Sequence, residues 1–282
     1  MQMKSKRRLT PKTSERIAKI FIWSIALLVI GILVFIVAFI LYKGIPVINW
    51  RFLTEIPRKS GRAGGISSTI VGTLSVTALA VIIAMPFGIG TAFYLAEYTK
   101  GGVITRIIRF CAESLAGIPS IVYGLFGFIF FVNYLGWSIL SGGLTLAFMI
   151  LPTIIRTSEE AIRSVPNIYR EVSYSLGGTK WQTIRKAVFP SAIRGITNGI
   201  ILSVGRSVAE TAAVILTTGG DLSMPDSIFS QGRTMAVHFY LLAVDGISIE
   251  NAYGTAAVLI ILIFLINVVA NMLVERLIAK GR

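Results

Sequence analysis

An all-α integral membrane protein with six transmembrane helices is the fold class this sequence predicts, and three observations predict it. Of its 282 residues 54% are hydrophobic and only 14% charged, with a mean hydropathy of +0.77, well above what a water-soluble domain carries. Charge-free apolar windows recur at the length of roughly 20 residues that a helix needs to cross a bilayer core. The basic residues behind the formal net charge of +14 sit in the short segments between those windows, where they report membrane orientation rather than a nucleic-acid surface. Cys111 is the only cysteine and His238 the only histidine, so no disulfide framework and no zinc or haem ligand set is expected.

The first element is a basic segment over 1–19 followed by an apolar helix from Ile20 to Tyr42, which reads as a retained span because no small-residue cleavage site follows it. An outer loop over 43–67 leads into a core over 68–282. Its first member, the second span, runs from Ser68 to Ala96 and contains Pro86, tolerated inside a membrane helix as a kink. No charge appears from Ser114 to Ile155, too long a stretch for one helix. Gly136 and Ser141-Gly142-Gly143 are expected to divide it into a third and a fourth span joined by a tight turn. A fifth span is predicted from Ile196 to about Thr217 and a sixth from Tyr253 to Val274. There is no internal repeat and no low-complexity linker. With the N-terminus inside, twenty Lys and Arg fall in inner segments and six in the outer loops, which predicts that both termini are cytoplasmic. The outer loop with Lys43, Arg51, Arg58, Lys59 and Arg62 runs against that trend.

The longest inner segment, 156–195, is patterned. Val165, Ile168, Tyr169, Val172 and Leu176 recur at helical spacing, which predicts an amphipathic helix. Gly177-Gly178 ends it, Thr179 with Gln182 forms a capping-box pattern that starts a second short helix, and Pro190 limits the extent of that helix. An interfacial hairpin and a docking element for a soluble partner are both compatible with this pattern. Glu171 is followed six residues later by Gly177 and thirteen after that by Pro190, a spacing that resembles the "EAA" loop of ATP-binding-cassette importer permeases. Val172 and Ser173 stand where that loop has alanines, Ala187 where isoleucine is usual and Phe189 where leucine is usual.

Three further stretches, "GGISSTIVGT" at 64–73, "AGIPSIVYGLFG" at 116–127 and "GRSVAETAAV" at 205–214, together resemble the PstA-type inner-membrane permeases of phosphate-specific importers, from about Gly64 to the C-terminus. The resemblance implies a type I importer permease (MetI-like) architecture in the plasma (inner) membrane. It also implies a PstC-type permease partner, a PstB-type ATPase dimer, and a PstS-type binding protein that delivers inorganic phosphate. By the same resemblance Glu171, Leu176, Gly177, Phe189 and Pro190 couple to the ATPase. The residues agree on one point independently: no phosphate-loop signature is present, so no cofactor is expected on this chain and ATP is expected to be used by the partner.

Arg206 and Glu210 fall in the fifth span, four residues apart, which would place them on one face of a continuous helix near the bilayer midplane. Each charge costs about 2.5 to 3.5 kcal/mol at a helix centre, so neither is expected to face lipid. A mutually neutralising pair that helps packing is one reading. The other makes Arg206 the transient contact for a partly dehydrated phosphate, with Glu210 holding it and Ser203, Ser207 and Thr211 offering hydroxyls. Ser120 and Tyr123 are further candidates for the pathway, while Gly124 and Gly127 are expected to serve close helix packing. Glu113 stands at the inner rim, where a solvated loop charge is the first reading and pairing with an arginine the second.

The outer loop over 218–252 holds Asp221, Asp226, Asp245 and Glu250 against Arg233, a poor surface for capturing a free anion and a candidate dock for a binding protein. Its segment "TMAVHFYLLAVDG" is expected to be a short interfacial or docking helix, with His238 a surface or packing residue. Permeases for molybdate, sulfate or phosphonate, and a membrane scaffold for phosphate sensing, are the competing readings. An intramembrane hydrolase lacks its nucleophile motif and its base.

Overall fold

The computed structural model describes residues 11–99 and 101–280. In chain order the helices are α1 (Pro11–Gly44), α2 (Trp50–Thr54), α3 (Ser67–Phe93), α4 (Val103–Ala116), α5 (Ser120–Gly127), α6 (Asn133–Leu135), α7 (Ile139–Arg163), α8 (Ile168–Ser175), α9 (Lys180–Thr183), α10 (Phe189–Val208), α11 (Ala212–Thr217), α12 (Met235–Val244) and α13 (Ile249–Lys280). Wider π-helical turns at Tyr94–Tyr98 and Phe128–Val132 continue α3 and α5, and a third at Ile184–Val188 joins α9 to α10. Among the described residues the one β-bridge pairs Arg58 with Ala63. Five helices are long and apolar enough to cross a membrane, and a sixth crossing exists if the bent pair α4 and α5–α6 counts as one.

The central helix is α7, with 67% of its most apolar window buried, whereas α1 has none of its own buried. Val76, Ala80 and Ala84 of α3, Tyr123 of α5, Leu146, Met149, Ile150 and Ile154 of α7, and Ala213 and Val214 of α11 make the main core. Lipid tails are as apolar as these side chains, so packing rather than water exclusion must hold the bundle. Gly199 of α10 lies so close to Thr157 of α7 that a Cβ there would collide with the threonine. The first helix α1 rests on α13, where Phe39 meets Tyr253 edge-on with ring centroids 6.0 Å apart, and it leaves Ile20 to Phe35 exposed to lipid or to another subunit.

Five local expectations are corrected. Ser141-Gly142-Gly143 is not a turn: it lies inside α7, because Gly142 faces Thr218 and Gly143 faces Leu79 at distances that leave no room for a side chain. The turn between the third and fourth spans is at Gly136, with φ of 72°, followed by Ser138, whose hydroxyl accepts from Ser141 N at 3.1 Å and caps α7. The third span is not one helix either. Pro119 carries no N–H and disfavours helix at Ile118, so the chain bends by 102° between α4 and α5.

Pro190 does not end the helix begun at Lys180. It falls in the first turn of α10, directly after the π-helical turn Ile184–Val188, where the altered hydrogen-bond frame accommodates a residue without a donor. The predicted capping box is present: Thr179 N donates to Gln182 Oε1 at 2.8 Å and Gln182 N to Thr179 Oγ1 at 3.4 Å. The preceding helix starts at Ile168 instead of Val165, since Pro166 intervenes and Val165 is drawn into a second core with Ile162, Val188 and Ala192.

The helix predicted to be interfacial, α12, is instead packed inside. Met235, Val237, His238 and Leu242 are fully buried, and Met235 N donates to Thr73 Oγ1 of α3 at 2.8 Å. His238 is 1% exposed, and Arg233 Nη1 stands 3.5 Å from its Nδ1, an arrangement that suits a neutral imidazole. Burial, and secondarily the charge of Arg233, lowers its pKa to about 4. The folded pKa lies below the unfolded one, so this contribution to stability is complete above about pH 6.5 and is lost as the pH falls toward about 4; it amounts to about 3 kcal/mol. The thermal midpoint of the purified wild-type chain should therefore drop between about pH 7 and about pH 5, by the equivalent of about 2 kcal/mol. His238→Gln should flatten that dependence.

Candidate translocation site

The fifth span breaks where the charges are. α10 stops at Val208, Ala209 to Thr211 lie outside regular helix, and α11 begins at Ala212. Arg206 therefore occupies the last turn of α10, where the helix dipole favours a cation, and Glu210 precedes α11, where it favours an anion. Glu210 Oε1 accepts from Ala213 N at 3.3 Å. The expected pairing of Arg206 with Glu210 does not form, since an i,i+4 contact needs an unbroken helix between the two residues. Each charge serves its own helix end instead.

Arg206 is exposed and Glu210 half-buried. Ser203 Oγ is spent on Gly199 O at 2.9 Å, and Ser207 Oγ is buried without a partner, so neither hydroxyl shares the exposed surface of Arg206. Thr211 is half-buried, and its carbonyl accepts from Ile215 N at 2.9 Å.

The two motifs at 116–127 and 205–214 meet. Gly124 of α5 lies under Ala212 and Ala213, just past the break, with its missing Cβ only 2.9 Å from Ala213 Cα. Tyr123 is buried beside them, and Arg206 lies within electrostatic reach of it. Its hydroxyl donates to Leu115 O at 2.7 Å and so ties α5 to α4 across the bend. Ser120, half-buried, is the first residue of α5. Gly127 packs directly on Thr145 of α7, with no room for a Cβ. Gly127→Val is expected to lower the amount of folded chain in the membrane, because overpacking of this kind costs about 1–3 kcal/mol. Quantitative blotting of membranes and the melting of the extracted protein would check it, and unchanged values would remove the argument. The third motif, 64–73, fastens the loops over 43–67 and 218–234: Ser68 Oγ donates to Leu222 O at 2.7 Å and Ser67 Oγ to Glu55 O at 2.9 Å.

At the opposite end from those loops, α8 presents Glu171 and an exposed tip. Leu176 is 83% exposed, and Gly177 ends the helix with φ of 78°, a conformation glycine adopts without penalty. Phe189 and Pro190 are exposed at the start of α10. Arg170 of α8, polar though it is, turns inward. Arg170 Nη2 lies 2.6 Å from Glu97 Oε1, with side-chain exposures of 15% and 6%. The same guanidinium donates to Val165 O at 2.7 Å and Ile162 O at 3.0 Å. A second cluster joins Arg109 and Arg163 to Glu159 Oε1 at 2.7 and 2.9 Å, beside a cavity of about 330 Å³ that Glu113 and Arg156 also line. Glu159 is thus the acid that holds these arginines, and Glu113 is exposed, as a solvated charge. No group of His, Cys, Asp and Glu fit to hold a metal exists among the described residues.

Residues 84–281 match the family model described as "Binding-protein-dependent transport system inner membrane component". The chain is 32% identical over 280 residues to the probable ABC transporter permease protein YqgI of Bacillus subtilis, covering 93% of this chain and 95% of that protein. It is 37% identical over 216 residues to the phosphate transport system permease protein PstA 1 of Mycobacterium tuberculosis, covering 75% and 71% respectively. Its fold superposes on a chain of the inward-facing MetNI methionine ABC transporter with a TM-score of 0.63 at 20% identity, covering 74% of this chain and 94% of that one.

Proposed function

The chain belongs to the binding-protein-dependent transport permeases, and from that premise we propose that it forms half of a membrane pathway for inorganic phosphate. A PstC-type permease supplies the other half, a PstB-type ATPase dimer hydrolyses ATP on the side of α8, and a PstS-type protein delivers the anion from outside. The observation that carries this reading is Arg206. It is an exposed guanidinium in the last turn of α10, set beside a break in the helix and within electrostatic reach of Tyr123 at the small-residue contact between α5 and α11. A planar fork of donors suits a tetrahedral oxyanion. Its site is open to a ligand because no acid in the described residues pairs with it.

The wider arrangement follows. Both termini are cytoplasmic, the bent α4–α6 segment is the third of six crossings, and Leu176 with the apolar side of α8 docks on the ATPase. Residues 43–67 and 218–234 form the outer surface that receives the binding protein. Arg62 Nε donates to Ile247 O at 3.0 Å and Asn251 Nδ2 to Gly61 O at 2.8 Å, which ties the first of these loops to the start of α13, while Ser68 Oγ donates to Leu222 O of the second at 2.7 Å. The phosphate transport relative named above favours phosphate over the other oxyanions.

Uptake of radiolabelled phosphate by cells expressing all four kinds of subunit tests the proposal. Uptake should require the binding protein and should be competed by arsenate and not by sulfate or molybdate. Competition by sulfate or molybdate instead, or uptake without the binding protein, would refute it.

A further inference from the structure

A groove of about 530 Å³ opens where α3 leaves the bundle and α9 enters it, lined by Gly90, Phe93, Tyr94, Tyr98, Trp181, Ile184, Arg185 and Phe189. Phe93 and Phe189 close its inner end with ring centroids 6.0 Å apart. We propose that it holds one acyl chain of an anionic phospholipid, whose phosphate is met by Arg185 and Lys186.

Three observations argue for that occupant. The first is continuity with the lipid-facing surface. Ile82 and Phe87, both 66% exposed, and the exposed Pro86, Gly90 and Tyr94 form one stripe along α3. It spans thirteen residues, about 18 Å of helix, enough to lie beside an acyl chain.

The second is the kind of aromatic residue at the mouth. Tyr94, Tyr98 and Trp181 are all exposed there. An apolar ring with a polar tip is the residue type that sits at headgroup depth. The third is charge. Arg185 and Lys186 are exposed, and Lys180 Nζ stands 4.7 Å over the Tyr98 ring. None of these three cations is in an ion pair among the described residues, and Glu97, next to Tyr98 at the groove, is taken by Arg170. Unneutralised cations beside an apolar slot at the membrane boundary match an anionic headgroup with its chain. The inference does not depend on which anion the pathway carries.

Native mass spectrometry of the assembled complex, after exchange into phosphatidylglycerol or phosphatidylcholine of identical chains, tests it. The wild-type complex should retain phosphatidylglycerol preferentially. In Arg185→Gln/Lys186→Gln that retention should weaken roughly thirtyfold, from about a fivefold contribution per cation near an anionic surface, with the ATPase still attached. Gly90→Phe fills the groove without touching the cations, and a Cβ at Gly90 meets nothing within 4 Å, so it should lose the lipid while the fold persists. Equal retention of the two lipids, unchanged retention in both variants, or crosslinking that places a partner subunit in the groove would each overturn the proposal.

Discussion

Arg206→Gln is expected to abolish phosphate uptake while leaving the permease in the membrane with its ATPase bound. A hydrogen bond to a charged group is worth about 1.5–3 kcal/mol, and a guanidinium offers an oxyanion two at once, so uptake should fall roughly a hundredfold or more. Arg206→Lys should recover part of it, since a point charge remains but the fork is lost. The competing account, in which Arg206 only neutralises Glu210 within the membrane, makes a different forecast. A neutral glutamine would then leave an unpaired glutamate and lower membrane abundance, with uptake per molecule unchanged. The structure already weakens that account, because the helix is broken between the two residues and Glu210 caps α11 through Ala213 N at 3.3 Å. Full uptake by Arg206→Gln at matched abundance would rule out the pathway role.

What the sequence made legible and what it hid divide along physical lines. The apolar windows in α1, α3 and α13 stand out because bilayer thickness imposes one length on all of them. The Thr179–Gln182 cap and the left-handed Gly177 were equally visible, since both are local and depend on a few adjacent residues. Gly142-Gly143 misled for a definable reason. In water a glycine pair inside an apolar run marks a turn, but in a bundle packed without a hydrophobic driving force it marks a near contact between helices. The burial of α12 was hidden because a short apolar helix has the same composition whether it lies on a membrane or under two loops. The break at Ala209–Thr211 was hidden because Arg206 and Glu210 satisfy the spacing rule of an unbroken helix. For the candidate site, the sequence named Arg206, Glu210 and Tyr123, and only the structure showed that α5 and α11 meet beside them.

The Arg170–Glu97 pair had no sequence signal at all, since its members are 73 residues apart, yet it supports the second large expected effect. It is the most buried ion pair described, and it links α8 to the end of α3, a core helix of the bundle. The guanidinium also holds the backbone between α7 and α8 through Ile162 O and Val165 O. If the ATPase docks on α8 as proposed, its push reaches α3 through a stiff joint instead of a loose loop. Arg170→Gln leaves Glu97 as a buried charge without a counterion, a change that costs about 3–5 kcal/mol. Uptake should collapse, while ATP hydrolysis by whatever complex still assembles continues without transport. The double variant Arg170→Gln/Glu97→Gln separates charge from joint, because effects at contacting residues do not add. Membrane abundance should rise above that of the single arginine variant, since no orphan charge remains, yet uptake should stay low, since amides cannot rebuild the clamp. If the double variant regains uptake along with abundance, Arg170 serves stability alone. If the two single effects simply add, the residues are not coupled and the force must reach α3 by another route, the nearest being the Ser173 to Thr183 hydroxyl contact at 2.8 Å between α8 and α9.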